Sequence, residues 1–192
     1  RAAIAAFDNT VVSTRYFFLG PEEQNLSIQK GYSQAVEDSL LRSIDWPADG
    51  YRLFEIGTPL WAGAEKITWL NRMFESNCLF LSRDLFQSID GADERFDSPG
   101  GGFLNLDLHK RAADAAGTTT VQLIGEGSFH QLHGGTTTNT DMASRRAKTA
   151  RYLDQYEQIR GHRELMPEHG VYYLGHLPTQ ASKIHLRNRD KQ

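Results

Sequence analysis

The chain is poor in cysteine and has no long apolar run. Among its 192 residues only Cys78 is a cysteine, so no internal disulfide can form and a disulfide-stapled secreted scaffold is excluded. No apolar run approaches the roughly 20 residues that span a bilayer, and no signal-peptide pattern opens the sequence. These absences predict a cytoplasmic protein that does not span a membrane.

The chain also lacks an excess of basic residues. Its 21 Lys and Arg residues are outnumbered by 24 Asp and Glu residues, which gives a formal net charge of −3. A nucleic-acid-binding protein needs a basic stripe that neutralises phosphates. The only local basic clusters, at 145–148 and 187–191, are typical of a solvated helix face and a polar tail. We therefore expect no nucleic-acid partner.

Glycine-rich phosphate loops are missing as well. The triplet Gly100-Gly101-Gly102 follows a proline rather than a strand, so it is neither a Walker loop nor a dinucleotide fingerprint. What the chain does contain is an ordinary globular composition, 39% hydrophobic and 23% charged. A chain of this length buries roughly 70% of the surface that it exposes when unfolded, which is typical of a compact domain.

Hydrophobic periodicity and turn residues predict an alternation of strands and helices. The predicted strands cover 10–19, 52–56, 77–81, 118–124 and 171–174. The predicted helices cover 34–44, 83–89, 103–116 and 141–159. Such alternation indicates an α/β fold, with a mixed sheet and flanking helices.

Two neighbouring segments in the middle of the chain carry the densest set of polar groups. The first is the loop element Gly91-Ala92-Asp93-Glu94-Arg95-Phe96, and the second is the helical stretch from Asn105 to Arg111. Taken alone, Asp107 and Arg111 at i,i+4 are typical of a surface ion pair. Asp93 and Glu94 alone are typical of a turn cap. Both of these structural interpretations stay open.

Together the two segments resemble the acceptor-side half of GT-A-type glycosyltransferases, those of family 2 and its relatives, over about residues 11–139. The matching residues are Asp93, Glu94, Phe96, Asp107, Leu108 and Arg111. The resemblance implies a partial GT-A domain and catalytic carboxylates at Asp107 and Asp93, where a carboxylate accepts the acceptor's proton. It also implies substrate-binding roles for a polar set: Glu75, Ser76, Asn77, Asn105, Glu94 and Arg111.

The sequence departs from that family pattern at the residue pair that opens the helix. Leu104 stands where these enzymes carry a glutamate, and Asn105 resembles the asparagine of the polypeptide N-acetylgalactosaminyltransferases. A carboxamide carries no charge that could accept a proton at neutral pH. Asp107 is therefore the candidate base.

A later segment, from Gly125 to Gly135, supplies two histidines. The resemblance implies that His130 helps to hold a divalent metal, Mn or Mg, on the leaving diphosphate, and that His133 joins it. It further implies that Asp107 and His130 converge on one cleft, with Glu126 orienting an imidazole. From the residues alone, a His-x-x-His spacing suits a turn, and a lone histidine is more often hydrogen-bonded structure.

The nucleotide-side half of such an enzyme has no counterpart in this sequence. No Asp-x-Asp pair occurs anywhere in the chain, and the first residue is Arg1. We therefore expect a fragment that is inactive alone and need not bind a metal, whereas the parent enzyme would use a divalent metal, a nucleotide-sugar donor and a glycan or other acceptor. The predicted organisation is a partial GT-A domain at 1–140, followed by a helix and turn-rich tail at 141–192. A severed half would expose an apolar face and pair as a homo-oligomer.

Two other function classes remain open. One is a noncatalytic carbohydrate-binding or assembly module of the same fold. The other is a metal hydrolase that uses His130, His133 and a carboxylate such as Glu126. Zinc bound at full occupancy would favour the hydrolase.

Overall fold

The computed structural model describes residues 1–60, 68–74, 77–136 and 138–182. Its helices are α1 (Ala2–Ala6), α2 (Gln24–Gln29), α3 (Gln34–Ser43), α4 (Leu53–Ile56), α5 (Arg83–Ser88), α6 (Leu104–Asp114) and α7 (Met142–Arg160). Its strands are β1 (Thr10–Leu19), β2 (Gly57–Pro59), β3 (Leu79–Phe80), β4 (Thr119–His130) and β5 (Val171–Gly175). Short 3-10 turns lie at Gly50–Arg52, Pro99–Gly101 and Thr179–Ala181.

The strands form a mixed open sheet flanked by helices, which confirms the predicted α/β class. Their order is β2-β1-β4-β5, and β3 also pairs with β1. Both pairings of β1 with short strands are antiparallel, with Phe18 opposite Thr58 in β2 and Ser13 opposite Leu79 in β3. The GT-A arrangement stays a prediction.

Strand β1 is buried along its whole length, at all ten residues. A strand covered on both faces has a nearly continuous run of apolar and β-branched residues rather than a strict alternation. The run from Thr10 to Leu19 has that composition, and the predicted bounds of this strand are confirmed.

The chain divides into two compact units, each made of three segments. The first comprises Arg1–Thr14, Arg72–Leu123 and Arg146–Leu174. Its core has two apolar clusters: Val11 with Leu85 and Ala112, and Ala3 with Val12 and Val121. Ala112 lies on the apolar stripe of α6, so this helix buries one face in the first cluster.

The second unit comprises Arg15–Asn71, Ile124–Arg145 and Gly175–Gln192. Its core is aromatic, with Phe17, Phe54 and Trp69 buried together and Phe129 stacked on Phe17 at a centroid distance of 5.1 Å. Gly127 lets β4 approach this cluster, because a Cβ there would lie 2.8 Å from the Phe17 ring. Aromatic pairs of this kind add about 0.5–1.5 kcal/mol beyond area burial.

One sequence-based prediction of local structure is wrong, and two others differ from the structure in their bounds. The predicted strand at 52–56 is a 3-10 turn followed by α4, and the Asp49 side chain caps its start by accepting from the Tyr51 amide at 2.9 Å. The strand predicted at 118–124 exists but is longer than predicted, since β4 continues to His130. The strand at 77–81 shrinks to two residues, and its Phe80 is 53% exposed rather than buried.

Candidate functional site

The first unit brings three of the predicted site residues together: Asp93, Asp107 and Arg111. Asp107, in the first turn of α6, is fully buried. Its Oδ2 accepts from Arg111 Nε at 2.7 Å, and its Oδ1 accepts from Arg160 Nε at 2.6 Å. Arg160 also donates to Asp93 at 2.7 Å. These four side chains form what we call the Arg160 cluster.

The Arg160 cluster ties the 91–97 loop to two helices. Arg111 donates to the carbonyl oxygens of Ile89 and Gly91, and the Arg160 guanidinium lies over the Phe96 ring, 5.6 Å from its centroid. The Asp93 carboxyl has a lowered pKa because Arg95 hydrogen-bonds it, and Arg160 adds a favourable charge. This is the geometry of a structural ion cluster, since both Asp107 oxygens already accept from arginines. A role for Asp107 as a base would require it to leave these arginines, and that role stays a prediction.

The second unit brings His130 and His133 together. His130 is the last residue of β4, and the chain then turns, so that the two Nε2 atoms lie 3.0 Å apart. The ring centroids are 4.7 Å apart and the ring planes are tilted by 45°. Tyr16 and Phe18 of β1 flank the His130 ring at centroid distances of 5.7 and 5.9 Å.

The environment favours the neutral form of His130. Burial lowers its pKa, and the nearby His133 lowers it further. A neutral imidazole is the form that binds metals. Two nitrogens bound at roughly 2.0–2.1 Å to one octahedral or tetrahedral ion lie about 2.9–3.4 Å apart, and the observed separation of the Nε2 atoms falls within that range.

A hydrogen bond explains the same separation. If one Nε2 is protonated, it can donate to the other, and 3.0 Å is an ordinary length for such a bond. The buried Nδ1 of His130 has no hydrogen-bond partner among the described residues, whereas metal-bound histidines usually donate from the second nitrogen. The separation of the Nε2 atoms thus fits a shared metal ion. The Nδ1 atom of His130, however, lacks the hydrogen-bond acceptor that usually orients a metal-bound histidine.

Glu37 of α3 contacts the segment 130–133, which carries the two histidines and which we call the histidine turn. It is buried, and its Oε2 accepts from the Leu132 amide at 2.8 Å and from the Tyr32 hydroxyl at 3.2 Å. Because Leu132 precedes His133, this carboxylate fixes the backbone of the pair. Burial and the Glu37 carboxylate raise the pKa of Tyr32, so its hydroxyl stays protonated as a donor.

The other predicted site residues lie elsewhere or outside the described part of the chain. Asn77, Glu94 and Asn105 are exposed. Glu75 and Ser76 fall outside the described residues. Glu126 accepts from the Tyr51 hydroxyl at 2.8 Å. Asp107 belongs to the first unit and His130 to the second, so their convergence on one cleft stays a prediction.

Within the four described ranges, no group of three or more His, Cys, Asp or Glu side chains is arranged to hold a metal ion. The fit to a metal therefore rests on His130 and His133 alone. No helix in that part of the chain is both long and apolar enough to cross a bilayer.

Two contributors could not be assigned a role from the sequence. Arg160 lies 53 residues beyond Asp107, and Glu37 lies 95 residues before Leu132. The only sequence signal for Glu37 is its place in a helix between Val36 and Leu40, close to the apolar stripe. Arg160 has a weaker signal, as a basic residue in the last turn of α7, where it also complements the helix dipole.

Comparison with known proteins adds no relative to these observations. No protein-family model, curated protein or solved structure matches this chain significantly.

Proposed function

We propose that the chain is a metal-dependent transferase module in which His130 and His133 hold a divalent metal. The substrate that the resemblance implies is a nucleotide sugar, with transfer of the sugar to an acceptor. The observation that carries the proposal is the 3.0 Å separation of the two Nε2 atoms. A bound metal of this kind would act as a Lewis acid that offsets the negative charge of a leaving phosphate.

The residues around the pair would support such a site. Glu37 fixes the Leu132 backbone, and burial keeps His130 neutral, so His130 does not have to lose a proton before it binds a metal near pH 7. Imidazole ligands suit zinc, copper and nickel better than magnesium, which prefers oxygen ligands. We therefore expect zinc to bind more tightly than manganese, and magnesium most weakly. The proposal assigns no proton transfer to Asp107.

Metal binding is tested by calorimetric titration of the folded chain with zinc and, separately, with manganese. We expect one zinc ion per chain, and affinities at least about 10-fold lower in His130→Gln and His133→Gln. His176→Gln, an exposed histidine of the same unit, is the matched control and should bind as the unaltered chain does. Equal affinities in all of these proteins, or no binding, would contradict the proposal.

A second candidate, a metal hydrolase, is favoured by the nitrogen character of the ligands. The two functions are separated by assaying the zinc-loaded and manganese-loaded chain with a panel of nucleotide sugars and with nitrophenyl esters. Release of a nucleoside diphosphate that increases with added acceptor supports the transferase. Metal-dependent release of nitrophenol, lost in His130→Gln, supports the hydrolase.

A further inference from the structure

A pocket of about 460 Å³ opens in the second unit, at the end of β1. We call it the Tyr32 pocket. Its walls come from the turn after β1, from α2 and the residues that follow it, and from α3 and α4. Small-molecule sites have volumes of about 300–1,000 Å³. The pocket is thus large enough for an organic ligand.

The walls of the Tyr32 pocket are largely apolar. Pro21, Val36, Leu40 and Ile56 all line it. Val36 is 42% exposed although it is a β-branched apolar residue on a helix that buries Glu37. A concave apolar surface favours binding of the apolar part of a ligand, because that part would cover exposed apolar side chains such as Val36.

The charged groups at the pocket are neutralised by their neighbours. Lys30 pairs with Glu22 at 2.5 Å, and Glu55 pairs with Arg52 at 3.1 Å. Because each of these charges already has an opposite charge beside it, the pocket offers no net attraction to an ion. The ligand that suits it is uncharged.

Among the polar side chains at the pocket, Tyr32 favours a ligand that carries a hydrogen-bond donor. The Tyr32 hydroxyl donates a hydrogen bond to Glu37, so the lone pairs of its oxygen are left only to accept. A ligand that pairs with this oxygen must be a donor. The same Glu37 oxygen accepts from the Leu132 amide, next to His133, so one carboxylate contacts both the pocket wall and the histidine turn.

We propose that the Tyr32 pocket binds an uncharged alcohol or phenol with an apolar body, whose hydroxyl donates to the Tyr32 oxygen. Where the chain acts as the transferase proposed above, this compound is the acceptor class, and that further step rests on the proposed function. Binding itself does not, because the pocket is formed by residues other than the two histidines.

The test uses 2-naphthol and its methyl ether, 2-methoxynaphthalene, as probes of the full chain without metal. Saturation-transfer NMR and fluorescence titration give the dissociation constants. The ether has the same rings but no donor, so we expect it to bind about 2- to 10-fold more weakly, which is what one hydrogen bond contributes. Tyr32→Phe should remove that difference, leaving both probes with similar affinity.

A second pair of variants tests the location. Val36→Lys places a charge on the pocket wall and should weaken both probes about 10-fold or more. Ala35→Lys changes the neighbouring exposed residue of α3, which does not line the pocket, and should leave both affinities unchanged. Circular dichroism of each variant checks that α3 remains folded.

Each outcome bears on the inference. Failure of the unaltered chain to bind 2-naphthol, or equal weakening by the two lysine variants, overturns the site. Equal affinity for the two probes overturns the hydroxyl contact. Zinc binding without naphthol binding would leave the proposed function standing while this inference fails, and naphthol binding without zinc binding would do the reverse.

Discussion

Replacing Asp107 with asparagine tests whether the Arg160 cluster stabilises the fold. The carboxylate is completely buried, and Arg160 contacts both of its oxygens, at 2.6 and 2.8 Å. Asparagine has nearly the same shape but no charge, and its amide group presents a donor where the aspartate accepts. The substitution therefore leaves two partly buried guanidinium groups, those of Arg111 and Arg160, without their shared countercharge.

The expected loss of stability is large. Removing one partner of a buried ion pair costs about 3–5 kcal/mol, because the remaining charge stays desolvated. A domain of this size loses roughly 2–4 °C of Tm per kcal/mol, so Tm should fall by about 6–20 °C. The loss is a substantial part of the roughly 5–15 kcal/mol that stabilises a typical domain.

The measurement is urea unfolding followed by circular dichroism, with thermal unfolding as a second reading. Glu94→Gln is the matched control, since Glu94 is an exposed carboxylate next to Asp93 in the same loop. A surface change of that kind is worth within about 0.5 kcal/mol. If Asp107→Asn unfolds at the same urea concentration as the control, the structural role of the cluster is refuted, and a functional role for Asp107 gains ground.

Two further predictions concern buried positions. Burial lowers the pKa of His109 to about 4, against the opposing charge of the nearby Asp114, whereas the unfolded value is about 6.5. The free energy of unfolding is therefore highest above pH 6.5 and falls by about 3 kcal/mol as the pH drops to about 4. Urea unfolding measured across that range should show this pH dependence in the unaltered chain and lose it in His109→Gln. Gly125→Ala should destabilise the fold by several kcal/mol, since its Cβ would lie 1.9 Å from the His176 carbonyl oxygen and its φ is +80°. Gly161→Ala, also at positive φ but in open space, is the control, and equal losses of Tm in the two variants would contradict the clash.

The elements that the sequence predicts well are those whose signals are local. Strand β1 is rich in β-branched and aromatic residues and ends before Gly20-Pro21, and its predicted bounds agree with the structure. Helix α7 starts after Asp141, whose side chain accepts from the amides of Ala143 and Ser144 at 3.0 and 2.9 Å. Both signals lie within a few residues of the boundary that they predict.

Two predictions differ from the structure, one because of contact with a distant part of the chain and one because of a local cap. The strand predicted at 118–124 stops before Gly125, whereas β4 continues to His130, and Gly125 lies where the His176 backbone approaches too closely for any side chain. The segment 52–56 has a strand-like composition, but capping by Asp49 starts a helical turn. The composition around Gly125 gives no sign that the His176 backbone, about 50 residues further along the chain, packs against it.

The same distinction applies to the two polar clusters. The Asp107–Arg111 pair is predicted by its i,i+4 spacing on a helix, and the His130–His133 pair by its separation of three residues at the end of a strand. Both signals are local. What gives each pair its character is remote: Arg160 completes the charge balance around Asp107.

Glu37 plays the corresponding part for the histidines, by fixing the Leu132 amide. A buried carboxylate must be satisfied by nearby donors, and in this unit Tyr32 and Leu132 supply them. It follows that α3 and the histidine turn are energetically linked, since moving the turn away from α3 would take the Leu132 donor from the buried Glu37 carboxylate. A ligand that shifts Tyr32 should therefore change the position of His133. An ion that shifts the histidine turn should likewise change the affinity of the Tyr32 pocket.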